Sequence, residues 1–132
     1  MSSTLMPTPD RPHPDLIADL PLLRAHLEEH RRFRLDQLAG IAAAGNHRHA
    51  DDDRPRDPAD ADADTARGEV SLALEVAARQ ALADIDAALE RIHAGRYGTC
   101  LTCRAPIPLD RLRIVPQTAH CHDCQRWKEK PR

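Results

Sequence analysis

Two long proline-free spans, a heptad of small and branched apolar residues within the second, and two Cys-x2-Cys pairs near the C-terminus together predict the fold class. The chain reads as mainly α: a long antiparallel helical hairpin of coiled-coil type, attached to a small four-cysteine zinc-finger globular end with a C-terminal helix. Aromatic residues make up only 2% of the chain, namely Phe33, Tyr97 and Trp127. A core built from Leu, Ile and Ala suits paired helices better than a sandwich.

Proline sets the boundaries. It recurs between positions 7 and 21, at 55 and 58, and from 106 onward, and it is absent from 22–54 and 59–105. A proline inside a helix costs about 3 kcal/mol, so the gaps are where long helices fit. The segment 1–18 is expected to be a flexible, Pro-rich lead. The first helix is expected from Asp19 or Leu20 to Ala44, with Asp19 as N-cap, Pro21 in the first turn and Gly45-Asn46 as a left-handed stop. Leu20, Leu23, Leu27, Leu38 and Ile41 supply its apolar face, which His30 and Arg34 interrupt. The second helix is expected from Thr65 to Ala94, capped by Asp64 or Thr65 and ended by Gly95. Its seam is Leu74, Ala78, Ala81, Ile85, Ala88 and Ile92. The hairpin thus spans 19–94, with a polar tip loop at about 45–63 and a zinc-finger domain over 95–132.

Cys100 and Cys103 form one pair and Cys121 and Cys124 the other, with seventeen residues between them. Each pair turns two sulfurs to one side, and two pairs complete a tetrahedron around one structural zinc ion. The thiolates also offer a way for a segment of fewer than 40 residues to fold. Four cysteines close the coordination shell, so His120 and His122 are not needed as ligands. A closed site leaves no open position for catalysis. No catalytic residue is assigned and the chain does not read as an enzyme.

Charge is divided along the chain. Residues 1–95 carry a net −7 and residues 96–132 a net +5, within a total of −2. The acidic share is densest at the tip, where Asp51, Asp52, Asp53, Asp57, Asp60, Asp62 and Asp64 crowd together. A run of this kind is usually a solvated turn. The spacing lacks the central Gly and alternating ligands of a calcium loop. His47 and His49 read as solvent-exposed. No apolar run approaches membrane-spanning length and the first residues are polar, so the expected location is cytoplasmic, with the cysteines reduced.

The run from Gly95 through Tyr97, Gly98, Cys100 and Cys103, then Ile107-Pro108-Leu109-Asp110-Arg111-Leu112, Pro116 and Cys121-His122-Asp123-Cys124-Gln125, strongly resembles the zinc finger of the DksA/TraR family. The resemblance covers about residues 16–128 and is looser in the helices. It implies a bacterial transcription regulator that binds RNA polymerase rather than promoter DNA, through a hairpin entering the secondary channel. It also implies a monomer with no membrane association. The family's tip motif, Asp-x-x-Asp-x-Ala, falls on Asp57, Asp60 and Asp62, the last of these a departure. Arg111, Arg113, Arg126 and Lys128 are the candidate polymerase-docking residues. The positions matching the family's basic contacts to guanosine tetraphosphate are Asp84, Val115 and Gln125. None is basic, so little or no alarmone dependence is expected. Arg104 stands where the family usually has Gly.

Two other readings remain. One is a Gre-like accessory factor whose tip carboxylates hold magnesium for transcript cleavage. The other is a zinc module binding nucleic acid directly, for which residues 96–132 supply only a modest patch once the thiolates are counted. Trp127 reads as a packing residue and Tyr97 as a lid over the zinc knuckle.

Overall fold

The computed structural model describes residues 14–50 and 58–129, apart from the side chains of 46–50. Among the described residues there are four helices: α1 (Pro14–Ala50), α2 (Pro58–His93), α3 (Leu109–Ile114) and α4 (His122–Glu129). Among the described residues there is no strand, only an isolated bridge between Thr99 and Pro106. No described helix is long and apolar enough to cross a membrane. The chain divides into two compact units. One comprises residues 1–29 and 84–132, the other residues 30–83.

Both long helices exceed the lengths expected from sequence. Helix α1 starts at Pro14, so residues 14–18 are helical and Pro21 lies inside the helix rather than in its first turn. An internal proline removes one backbone hydrogen bond. The opposing term is Leu16, which is buried in the core, and burying a leucine contributes about 1.5–3 kcal/mol. Asp19 is not an N-cap. Its carboxylate lies on the body of α1 and pairs with Arg113 at 2.8 Å. Helix α1 also runs past Gly45-Asn46 to Ala50. Gly45 does not take the positive φ of a helix stop, whereas Gly95 and Gly98 do. Helix α2 starts at Pro58 instead of Thr65, with proline in the first position, where its missing N–H costs nothing. Residues 45–50 and 58–63, expected in the tip loop, are therefore helical.

Helix α2 ends as expected. The Arg96 amide donates to Arg91 O at 2.8 Å and the Gly95 amide to Ile92 O at 3.2 Å. With Gly95 at φ 74° this is a Schellman stop.

In the unit comprising 1–29 and 84–132, Leu16, Leu23 and Leu27 from α1 meet Ile85 and Ala88 from α2 and Tyr97, Cys100, Ile107 and Leu112 from the segment beyond. The cysteine-bearing segment has no separate core: it completes its own by packing on the two helices. Apolar burial thus adds to whatever the zinc thiolates contribute to its folding.

In the unit comprising 30–83, Leu38, Ile41 and Gly45 line one groove with Glu75, Leu72 and Gly68. The expected seam holds at Ala78, which is buried, but Leu74 is 47% exposed. Arg79 and Glu75 pair along α2 at 2.9 Å, and Arg67 pairs with Asp64 at 3.4 Å. Thr65 does not cap α2; its hydroxyl donates to Ala61 O one turn back, at 3.0 Å.

Gly98 has φ 92°, and a Cβ there would collide with the Leu16 side chain. Gly95 has φ 74° with open space around it. Gly95→Ala is expected to cost about 1–2 kcal/mol from backbone strain alone. Gly98→Ala adds overpacking of about 1–3 kcal/mol. Urea unfolding of the zinc-loaded protein should rank wild type above Gly95→Ala, and Gly95→Ala above Gly98→Ala.

Candidate metal centre

Each cysteine pair sits in a turn held by backbone hydrogen bonds. Around the first, the Cys100 amide donates to Ala105 O at 2.9 Å, the Arg104 amide to Cys100 O at 3.0 Å, and the Ile107 amide to Gly98 O at 2.8 Å. The turn carries Arg104 into the left-handed region at φ 64°. This is the conformation for which glycine is the unstrained choice, and it gives the Arg104 departure a physical meaning. The second pair straddles the start of α4. Cys121 immediately precedes the helix, Cys124 lies in its first turn, and the Gln125 amide donates to Cys121 O at 2.9 Å. The Leu101 amide joins the two turns by donating to Ala119 O at 2.9 Å.

The four sulfurs lie within 4.8 Å of one another, and the Cys103 and Cys121 sulfurs are 3.7 Å apart. Zinc–sulfur bonds of about 2.3 Å in a tetrahedron place sulfurs about 3.8 Å apart. The donor set and its spacing fit one structural zinc ion, held by Cys100, Cys103, Cys121 and Cys124. No histidine joins this group among the described residues. His120 has a different position. Lys128 Nζ donates to His120 Nε2 at 3.0 Å, which leaves Nδ1 to carry the proton toward Thr102 Oγ1 at 3.1 Å. The imidazole thus ties the first knuckle to α4.

The thiols differ electrostatically. Burial pushes the Cys100 thiol up, but the backbone N–H groups of Cys103, Cys121 and Thr102 outweigh it and bring the value down to about 5. Cys124 is pushed up to about 12, first by its hydrogen bond with Cys121 and then by burial. Cys103 is also raised: the Ala105 backbone hydrogen bond favours its thiolate, but its hydrogen bond with Cys100, burial and its hydrogen bond with Cys121 oppose this and prevail.

Tyr97 is buried, and its hydroxyl donates to Pro116 O at 2.7 Å. It holds the chain on the approach to Cys121 rather than simply covering the knuckle. Burial raises its hydroxyl to about 12, against the opposing charge of Arg91. Burial lowers the Arg91 guanidinium, with Tyr97 and Asp84 opposing.

The remaining sequence candidates are dispersed. Arg111 is half-buried and donates to His120 O at 3.1 Å, and Arg113 is paired with Asp19. Arg126 and Lys128 are exposed on α4. Trp127 is 65% exposed, so it does not pack. Asp60 and Asp62 are exposed near the start of α2. Asp57, with Asp51, Asp52 and Asp53, lies outside the described residues, as do the side chains of His47 and His49. Sequence reasoning missed the part played by Arg91 and Thr118. Their signal is only tertiary, because Arg91 reaches Thr118 O at 3.3 Å across 27 residues.

Residues 95–130 match the family model of the prokaryotic dksA/traR C4-type zinc finger. The solved structure of transcription factor DksA2 from Pseudomonas aeruginosa is similar, with a TM-score of 0.69 and 29% identity over 85% of this chain and 84% of that one. An uncharacterized protein of Aquifex aeolicus (strain VF5) is 43% identical over 49 residues, which are 37% of this chain and 34% of the relative. The match thus spans about a third of that curated relative's length. A C4-type zinc finger joined to two long helices defines the class. Residues 95–130 are thus a zinc finger of the dksA/traR C4 type, and the long-helix fold is similar to that of DksA2.

Protons compete with zinc at the raised thiols. Cys103 and Cys124 must each release a proton on metal binding near neutral pH. Zinc affinity is therefore expected to fall as pH falls, by about two powers of ten per unit or more near neutrality. Chelator competition between pH 6 and 8 measures the slope, and calorimetry in buffers of different ionisation enthalpy measures the released protons.

Proposed function

We propose that this protein regulates bacterial transcription by binding RNA polymerase at its secondary channel, with the hairpin tip delivered toward the catalytic centre. The observation that carries this reading is the similarity to transcription factor DksA2 over most of both chains, combined with the dksA/traR finger. Asp57, Asp60 and Asp62 are the tip residues. Asp60 and Asp62 lie in the first turns of α2, exposed to solvent, where carboxylates are accessible to a partner. Arg126 and Lys128 on α4, with Arg113, are the docking candidates; Arg111 holds a loop inside the fold. Regulation acts through binding, in a cytoplasmic monomer, without chemistry at the closed zinc centre and without sequence-specific DNA contact.

The tip is tested by Asp57→Asn together with Asp60→Asn, assayed on a promoter that forms a short-lived open complex. The double variant is expected to bind polymerase as wild type does and to lose the effect on transcription. Retained regulation would remove the tip assignment.

Alarmone dependence is expected to be weak. The three matching positions offer a carboxylate at Asp84, an apolar side chain at Val115 and the Gln125 amide, which already donates to Glu129 at 2.9 Å. An anion needs cationic donors. Transcription with and without guanosine tetraphosphate should show no enhancement that depends on this protein.

A further inference from the structure

The backbone leading into Cys121 is held by groups that have no part in binding a metal. Pro116 O accepts the Tyr97 hydroxyl at 2.7 Å. Thr118 O accepts Arg91 Nη2 at 3.3 Å, and Gln117 O shares the same nitrogen more loosely at 3.5 Å. Ala119 O accepts the Leu101 amide at 2.9 Å. His120 O accepts Arg111 Nε at 3.1 Å and the Thr118 hydroxyl at 2.9 Å. Every carbonyl from 116 to 120 therefore has a donor, and most donors come from elsewhere in the fold: Arg91 from α2, Tyr97 from the segment after it, Leu101 from the first knuckle and Arg111 from α3.

These donors are themselves anchored. Tyr97 is 4% exposed and belongs to the cluster containing Leu23, Leu27, Ile85 and Leu112. Arg91 and Arg111 are half-buried. None of these contacts involves a sulfur atom. A metal whose site exists only in the loaded state commits its binding energy to folding. A site whose ligand backbone is already placed returns that energy as affinity.

We propose that Arg91, Tyr97 and Arg111 are positioning residues for the zinc centre. They hold the 116–120 segment, and with it Cys121, in place before the metal arrives. The metal-free chain keeps its globular unit folded, and zinc closes only the sulfur shell.

The test uses the full chain, reduced, with and without zinc removed by a chelator, and reads amide hydrogen exchange alongside helical circular dichroism. Without metal, the Ile107, Val115 and Thr118 amides should stay protected and the helical signal should hold. Losses should be confined to the turns at Arg104 and Gln125. Zinc affinity is then measured by competition with a chromogenic chelator. Tyr97→Phe and Arg111→Ala should each bind zinc about tenfold more weakly or worse, Arg111→Lys should recover part of the loss, and Arg24→Ala, exposed on α1, should bind as wild type. If Tyr97→Phe does not fold, Arg91→Gln carries the same measurement. Loss of protection throughout 97–120 on metal removal would overturn the proposal. So would wild-type zinc affinity in the Tyr97 and Arg111 variants.

Discussion

The packing of Leu23 and Leu27 against Ile85, Ala88 and Tyr97 is the contact on which the rest of this molecule depends. The segment beyond α2 is too short to enclose apolar side chains by itself, and its two helices have 6 and 8 residues. An isolated helix of that length is marginal in water. Helix α3 is placed because Leu112 is fully buried beneath α1, and Gly98 admits Leu16 where any larger residue would exclude it. The Asp19–Arg113 pair adds a polar contact between α1 and α3. Its value is modest because both partners touch solvent. The metal centre is thus built onto a scaffold stabilised by hydrocarbon.

The unit comprising 30–83 works under a different constraint. Two helices can hide only one face each, and here the hidden face is thin. Gly45 and Gly68 leave open space at the groove, while Val70, Leu72 and Val76 are about 60% exposed. Stability must come from helix propensity, from i,i+4 pairs such as Glu75–Arg79, and from the run of alanines. A pair contributes about 0.2–0.5 kcal/mol, so many small terms replace a core. Local opening is cheapest where buried apolar contacts are few.

Much of this architecture was legible in the sequence because its signals are local. The Cys-x2-Cys spacing gave the sulfur cluster, Gly95 gave the end of α2, and the 4, 3, 4 spacing gave the seam at Ala78, Ile85 and Ala88. The failures share a cause. Pro21 and Gly45 were read as punctuation, but each is a modest local cost that neighbouring helix and buried contacts offset. Leu74 was placed in the seam by a strict heptad. A helix drifts about 20° per heptad unless it supercoils, and in the 30–83 unit the less exposed positions along this stretch of α2 are Ser71, Glu75 and Ala78. Arg91 and Thr118 could not be found from spacing at all, since nothing within a turn of either points to the other.

The acids proposed for the tip show how a structural role and a proposed functional role can fall on the same residue. Helix α2 begins at Pro58, so Asp60 sits in its first turn. A carboxylate there is favoured by the partial positive charge of the helix N-terminus, by about 0.3–1 kcal/mol. The same residues would therefore be retained in a chain whose tip did nothing but fold. A stability measurement cannot separate the two roles, because both lose the charge together. What separates them is distance. The helix effect fades within one turn, and Asp62 lies near its limit. A carboxylate is an acceptor for any cationic or metal-bearing surface brought against it, however far it stands from the first amide. Of Asp60 and Asp62, the helix needs Asp62 the less.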